Sequence, residues 1–162
     1  MTEMLLNGLR YLLTLLFGVA VSAAFLDVAP TRKNIVILSV FSALDFIVQC
    51  IMFLLQSDSA TYAYYPLVTH IPLVLLFTLA CKCRLVPSVL AVLTAYLCCQ
   101  ISNWISTIPK TFHCPDWSVD ITYIIVLIII FPLVWKYVAS PIAKLLSKPA
   151  SSLISFAIVP VS

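Results

Sequence analysis

The chain has 162 residues, of which 63% are hydrophobic and 9% charged, and its mean hydropathy is +1.14. A soluble domain of this length carries about a quarter charged residues and could not bury so much apolar surface. The composition therefore excludes an ordinary soluble domain and predicts a polytopic membrane protein. The net charge of +3 is too small to suggest that the chain binds nucleic acid.

Apolar runs of about twenty residues, the length that spans a hydrocarbon core, predict the membrane helices. We predict an all-α bundle that forms a single membrane domain over residues 1–162, with about five transmembrane helices at 5–26, 35–55, 64–81, 85–105 and 121–138. A basic interfacial linker is predicted at 139–150. The apolar tail at 153–161 is too short to span and is typical of a truncated sixth helix, so we expect the sequence to be a piece of a longer protein.

The third predicted helix contains two prolines, Pro66 and Pro72, on either side of His70. A proline removes a backbone donor and bends a helix, so we expect a kink around His70. The kink is interpreted first as a static bend and second as a moving part beside a polar cavity.

Basic residues in short loops predict which side of the membrane each loop faces. One set of loops and helix ends holds Arg32, Lys33, Lys82, Arg84, Lys136, Lys144 and Lys148, and the opposite set holds Arg10 and Lys110. This bias predicts an N-terminus outside the cell and the first set of loops in the cytoplasm.

Polar and ionisable side chains within the predicted helices are candidates for a ligand site, because they are costly in lipid unless they are paired. Most of these residues fall toward the predicted outer side, and they are Arg10, Gln49, His70, Gln100 and Asn103, while Asp45 lies near the midplane. This distribution suggests a polar cavity that opens outward. It does not suggest a channel, which needs polar lining across its whole depth.

Asp45 is the strongest candidate in this set, since a carboxylate at the midplane needs a partner or a proton. Asp45 and Gln49 share one helix face because they are four residues apart. By depth, we expect Arg10 and His70 to be the partners of Asp45. The alternative interpretation is that these side chains only form hydrogen bonds between helices, each contributing about 1 kcal/mol or less.

No catalytic motif is present, so we expect no enzymatic activity and no cofactor from these residues. The only glycines are Gly8 and Gly18, which excludes phosphate-binding glycine loops. The six cysteines include no pair of C-x-x-C motifs, and we interpret Cys81 and Cys83 as filler at a helix end and not as metal ligands.

Several stretches resemble a known family. These stretches are Arg32-Lys33-Asn34-Ile35, Tyr65-Pro66-Leu67-Val68-Thr69-His70-Ile71-Pro72-Leu73, Ala95-Tyr96-Leu97-Cys98-Cys99-Gln100-Ile101 with Trp104, Val138-Ala139-Ser140-Pro141, and the run from Leu153 to Pro160. Together they resemble the N-terminal membrane region of GHKL-type sensor histidine kinases from Gram-positive gut bacteria. The resemblance implies a place in the bacterial cytoplasmic membrane and a role in a two-component system. The family's phosphoacceptor helix and ATP-binding boxes are not among these residues, so autokinase activity is not assigned to them.

The expected function is therefore the signal-input module of a sensor kinase. Its expected partners are the lipid bilayer, an extracellular peptide or small molecule, and a second copy of the chain. Two alternatives remain, a small stand-alone transporter in which Asp45 and His70 form a relay, and a structural membrane subunit. Gly18 and Ser22, which are four residues apart, favour close helix packing in any of these cases.

Overall fold

A computed structural model describes residues 2–55 and 66–148, and every element in these two ranges is a helix. The elements in chain order are α1 (Thr2–Phe25), α2 (Arg32–Leu55), a π-helical turn (Pro66–His70) that leads into α3 (Ile71–Leu79), α4 (Leu85–Ser106), the short α5 (Ile108–Thr111), α6 (Trp117–Leu133), a second π-helical turn (Val134–Val138) and α7 (Ala139–Leu146). The predicted apolar tail at 153–161 lies outside the described residues. The all-α prediction is confirmed for the part of the chain that is described.

Four helical stretches are long and apolar enough to cross a membrane, and they are Leu5–Phe25, Arg32–Met52, Leu85–Thr111 and Trp117–Leu146. The third predicted span is represented by a shorter apolar helix, Leu67–Leu79. At 1.5 Å per residue its described part is about 20 Å long, less than the roughly 30 Å of a hydrocarbon core. A fully five-span topology therefore remains a prediction.

The last long helix extends beyond the boundary that the apolar run predicts. Instead of ending at residue 138, the helical backbone continues through the second π-helical turn into α7 and ends at Leu146. Pro141 cannot donate the helical hydrogen bond to residue 137, and the wider π turn that directly precedes α7 accommodates this missing donor. The first two-thirds of the predicted basic linker is thus part of one helix that begins at Trp117.

Prolines account for the first π-helical turn in the same way. Pro72 lies in the first turn of α3, two residues after the end of the π turn Pro66–His70. The expected distortion around His70 is therefore present, as a local widening of the helix. Because of this widening, the side chains of Thr69 and His70 contact different neighbouring helices.

Two helix ends are closed by a residue with a left-handed backbone. Asp27 has φ 51°, and the N–H of Val28 bonds to the carbonyl of Ala23 at 3.0 Å. His113 has φ 57°, and the N–H of Cys114 bonds to the carbonyl of Pro109 at 3.2 Å. Both patterns are Schellman caps, in which glycine is the usual residue. These caps end the helices and turn the chain away from the helix axis.

The packed core is formed by α1, α4 and α6, which contact one another along much of their lengths. Buried side chains on α1 include Leu15, Val21 and Phe25, and α4 contributes the small residues Ala91 and Ala95. Small residues allow helix backbones to approach closely, which is how helices pack in lipid.

Gly18 of α1 lies directly against the Tyr96 side chain of α4. A Cβ atom at this position would lie 2.6 Å from Oη of Tyr96 and 2.7 Å from a carbon of its ring. Only glycine therefore leaves room for the Tyr96 ring at this crossing. The expected packing role of Gly18 and Ser22 agrees with this contact and with the complete burial of Ser22.

Helix α2 lies at the periphery and packs against α1. A broad apolar surface of α2 is exposed, and it includes Ile35, Val36, Val40, Leu44, Ile47 and Ile51. Exposed apolar surface of this extent is unfavourable in water and suits contact with lipid. The buried polar residues of α2 lie on its opposite face.

Candidate functional site

Arg10 joins three helices near the N-terminal end of α1. Its Nη1 donates to Oδ1 of Asp120 on α6 at 2.9 Å, and its Nη2 donates to Oδ1 of Asn103 on α4 at 2.9 Å. The side chains of Arg10 and Asp120 are 21% and 19% exposed. The planar guanidinium thus uses its two nitrogens to hold α4 and α6 against α1.

Two further residues complete this group. The guanidinium carbon of Arg10 lies 4.3 Å from the centroid of the Tyr123 ring, a cation–π contact. The Thr14 hydroxyl donates to the Arg10 carbonyl at 2.8 Å, so the Tyr123 hydroxyl is the donor in its 2.9 Å bond with Thr14. We call Arg10, Thr14, Asn103, Asp120 and Tyr123 the Arg10 cluster.

A second polar group joins α2 to the first π-helical turn. The Gln49 amide donates to Asp45 at 2.6 Å and to the Thr69 hydroxyl at 2.9 Å, and that hydroxyl donates to Asp45 at 3.1 Å. All three residues are buried, with exposed fractions of 6% for Asp45, 7% for Gln49 and 0% for Thr69. We call these residues the Asp45 cluster.

The Asp45 cluster has one unused polar atom. The side-chain oxygen of Gln49 is buried and has no hydrogen-bond partner among the described residues. A buried acceptor without a donor costs about 1–3 kcal/mol, so this oxygen favours the entry of a donor such as water, a proton carrier or a ligand group. Within the described ranges, this oxygen is the one buried polar atom of the cluster that is free to accept a further hydrogen bond.

His70 follows Thr69 but faces a different helix. Its ring centroid lies 4.1 Å from that of Tyr96 on α4, and Tyr96 in turn fills the space left by Gly18. The π turn therefore directs Thr69 toward α2 and His70 toward α4. This arrangement places His70 at the junction of α1, α3 and α4.

The structure divides the predicted ligand residues between separate places. Arg10 and Asn103 belong to the Arg10 cluster, Asp45 and Gln49 belong to the Asp45 cluster, and His70 packs on Tyr96. Gln100 is exposed, and its side-chain oxygen lies 3.5 Å from the Asn103 amide. The six residues therefore do not line one common cavity in the described part of the chain.

The expected partners of Asp45 differ from those that the structure gives it. Arg10 pairs with Asp120, and Asp45 bonds to Gln49 and Thr69. Arg10 cannot pair with Asp45 because it faces α4 and α6 within the core, whereas α2, which carries Asp45, lies outside that core. Depth alone cannot predict a pair, because it leaves the direction around each helix axis undetermined.

Sequence reasoning missed Thr14, Thr69 and Tyr123. Threonine and tyrosine are common in membrane helices, and nothing in their spacing distinguishes these three from the others. Tyr123 lies three residues after Asp120 and therefore on the same face of α6, but this spacing does not indicate which helix the two side chains contact.

The predicted cytoplasmic loops meet at the end of the bundle opposite the Arg10 cluster. Asp27 in the α1–α2 turn, Lys82 and Arg84 before α4, and Lys144 on α7 line one groove of about 930 Å³. We call it the basic groove. Seventeen residues of α1 and its cap separate Arg10 from Asp27, a distance of about 25 Å along a helix.

Two cysteines lie beside the basic groove, in the turn between α3 and α4. Burial raises the pKa of the Cys81 thiol, an effect that the nearby Lys33 ammonium partly offsets. Burial also raises the pKa of the Cys83 thiol, and the neighbouring Cys81 adds to this shift. Both thiols are therefore poor nucleophiles at neutral pH. Among the described residues, no group of three or more His, Cys, Asp or Glu side chains is placed to hold a metal ion.

Comparison with known proteins finds no matching family model, no similar curated protein and no solved structure of similar fold.

Proposed function

We propose that these residues form the membrane-embedded signal-input module of a sensor histidine kinase. In this proposal the bundle spans the bacterial cytoplasmic membrane with its N-terminus outside. It receives an extracytoplasmic signal and relays it to a cytoplasmic kinase domain that these residues do not include. The resemblance of the Tyr65–Leu73 and Ala95–Ile101 stretches to that family supports the proposal.

One structural observation carries the relay. The helix from Trp117 to Leu146 is continuous, and it connects the Arg10 cluster, through Asp120, with the basic groove, through Lys144. In this proposal a rotation or shift of the helix at Asp120 is passed along the same helix, which includes Pro132 and the second π-helical turn, to Lys144 at its other end.

The Asp45 cluster supplies a second element that can respond to a signal. Two hydrogen bonds to the Thr69 hydroxyl, one from the Gln49 amide and one to the Asp45 carboxylate, link the peripheral α2 to the π turn, and a third joins Gln49 to Asp45 within α2. A ligand that donates to the unused Gln49 oxygen would bind one arrangement of α2 and the π turn better than another. Such unequal binding is the thermodynamic requirement for a signal.

The first test is the size of the native product. The chain is tagged at its N-terminus at its own locus, and membranes are blotted. A band several tens of kDa larger than 17.9 kDa supports a kinase that continues beyond these residues. A band near 17.9 kDa would refute the input-module proposal for this protein.

The second test removes the charge of Asp45 in the native protein. Asp45→Asn is expected to change the ligand-dependent output while leaving membrane expression normal. Asp116→Asn serves as the matched control, because Asp116 is exposed and takes no part in either cluster. An unchanged response in the Asp45 variant would remove this residue from the mechanism.

A small transporter is the second candidate, and one observation favours it. Asp45 is a nearly buried carboxylate within a helix that is long enough to span, beside an amide oxygen that lacks a donor. Buried carboxylates in membrane helices often mark ion or proton pathways. Uptake driven by a proton gradient into proteoliposomes, abolished by Asp45→Asn and retained by Asp116→Asn, would support this candidate over the first.

A further inference from the structure

The rim of the basic groove carries an excess of positive charge that no carboxylate of the described residues neutralises. Lys82, Arg84 and Lys144 contribute three positive charges, and Asp27 contributes one negative charge. Arg10–Asp120 is the sole ion pair found within the described ranges, so none of these three basic side chains has a carboxylate within ion-pair distance. All three are exposed and therefore available to an anion.

The N-terminus of α4 adds to this charge. The helix begins at Leu85, directly after Arg84, and no side chain caps it. The first N–H groups of an uncapped helix and its dipole both favour an anion at that end. The N-terminus of α4 therefore favours an anion beside Arg84.

Most of the remaining lining of the groove is apolar, and Asn34, Ser140 and Ser147 add three uncharged polar side chains. Its floor includes Ala20 and Ala24 of α1 and Leu38 of α2, and one wall is Trp135, which is half exposed. Small alanines leave a channel along α1, and tryptophan favours the depth of lipid headgroups. A ligand that fills this groove needs an anionic group at one end and an apolar body at the other.

We propose that the basic groove binds one acidic phospholipid, with its phosphate at Lys82, Arg84 and Lys144 and the start of its acyl chains along α1 and α2. The observations favour a lipid over a soluble phosphate because the alanine and leucine floor would remain uncovered by a soluble ion. Basic pockets between membrane helices are common sites for acidic lipids. The inference rests on the membrane placement in the proposed function and is independent of the signalling role.

Trp135 provides a local probe for this site. Replacing Trp104 and Trp117 with phenylalanine leaves Trp135 as the single tryptophan of the chain. This protein is placed in neutral phosphatidylcholine bilayers that contain a trace of either phosphatidylglycerol or phosphatidylcholine with brominated acyl chains. Stronger quenching of Trp135 by the brominated phosphatidylglycerol, at equal mole fraction, is expected, with a preference on the order of tenfold.

Variants that remove positive charge from the groove, and one that removes its negative charge, test the assignment of the headgroup site. Lys82→Gln with Arg84→Gln and Lys144→Gln should remove the preference, while Lys110→Gln at the other end of the bundle should preserve it. Asp27→Asn should increase the preference, a gain that misfolding cannot produce, and asparagine tolerates the left-handed backbone at this position. A preference that is absent in the parent protein, or unaffected by both the triple variant and Asp27→Asn, would overturn the proposal.

Two controls separate the possible causes of a negative result. Soluble glycerol phosphate should not reduce the quenching difference, and complete competition by it would assign the groove to a free phosphate compound and overturn the lipid site. Alkaline extraction of cell membranes tests the placement itself. A chain that stays in the membrane pellet but shows no lipid preference refutes the lipid site alone, whereas a chain released by alkali refutes the membrane function as well.

Discussion

Loss of the Arg10–Asp120 ion pair should destabilise the bundle measurably. Two unit charges about 4 Å apart attract by about 4 kcal/mol at the effective dielectric of a protein, near 20. Each side chain is about a fifth exposed. In Asp120→Asn the introduced amide oxygen still accepts a hydrogen bond from the guanidinium. Solvent screening and this retained bond together reduce the expected loss in unfolding free energy to about 2 kcal/mol.

A double-mutant cycle with Arg10→Gln isolates the pair from the other contacts of each residue. Reversible unfolding of the purified protein in mixed micelles is followed by circular dichroism for the parent, both single variants and the double variant. We expect a coupling free energy of about 2 kcal/mol, and a change within about 0.5 kcal/mol for the exposed control Asp116→Asn. If the coupling is below about 0.5 kcal/mol, the Arg10–Asp120 ion pair does not hold α1 and α6 together.

Three further predictions follow from packing, backbone and thiol chemistry. Gly18→Ala should lower the unfolding free energy by about 1–3 kcal/mol, because the added Cβ would overlap the Tyr96 ring of α4. Gly8→Ala is the control, and it should be neutral or stabilising because nothing lies within 4 Å of its Cβ position. Equal effects of the two substitutions would contradict the close contact at Gly18. His113→Gly should raise the unfolding free energy by about 1 kcal/mol, because glycine adopts the left-handed backbone at this position without steric strain. His113→Ala keeps that strain and should give no gain. A gain in both variants would exclude backbone strain as the cause. In single-cysteine variants, a membrane-impermeant maleimide should label the exposed Cys114 in intact cells. Cys83 should react only after permeabilisation. Its labelling should be slow at neutral pH and faster as the pH rises, because its pKa is raised and the thiolate is the reacting form. Labelling of Cys83 in intact cells would show that the orientation is opposite to the one proposed.

Helix content and approximate helix positions followed from the sequence because apolar run length is a local property. The spans around α1, α2 and α4 begin and end within a few residues of their predicted limits. The continuation of the last helix to Leu146 did not follow, since a polar stretch with Pro141 resembles a linker. Only the tertiary structure shows that a π turn absorbs that proline and keeps the helix continuous.

For the polar residues, too, the sequence identified individual side chains, and the tertiary structure decided which of them pair. Sequence alone identified Arg10, Asp45 and Gln49 as costly in lipid, and it placed Asp45 and Gln49 on one face of α2, as their 2.6 Å hydrogen bond confirms. It could not assign Asp120 to Arg10, because that pairing depends on which helices are neighbours and on how each is rotated. Helix formation is determined by residues close in sequence, whereas pairing between helices is decided by side-chain packing across the whole bundle.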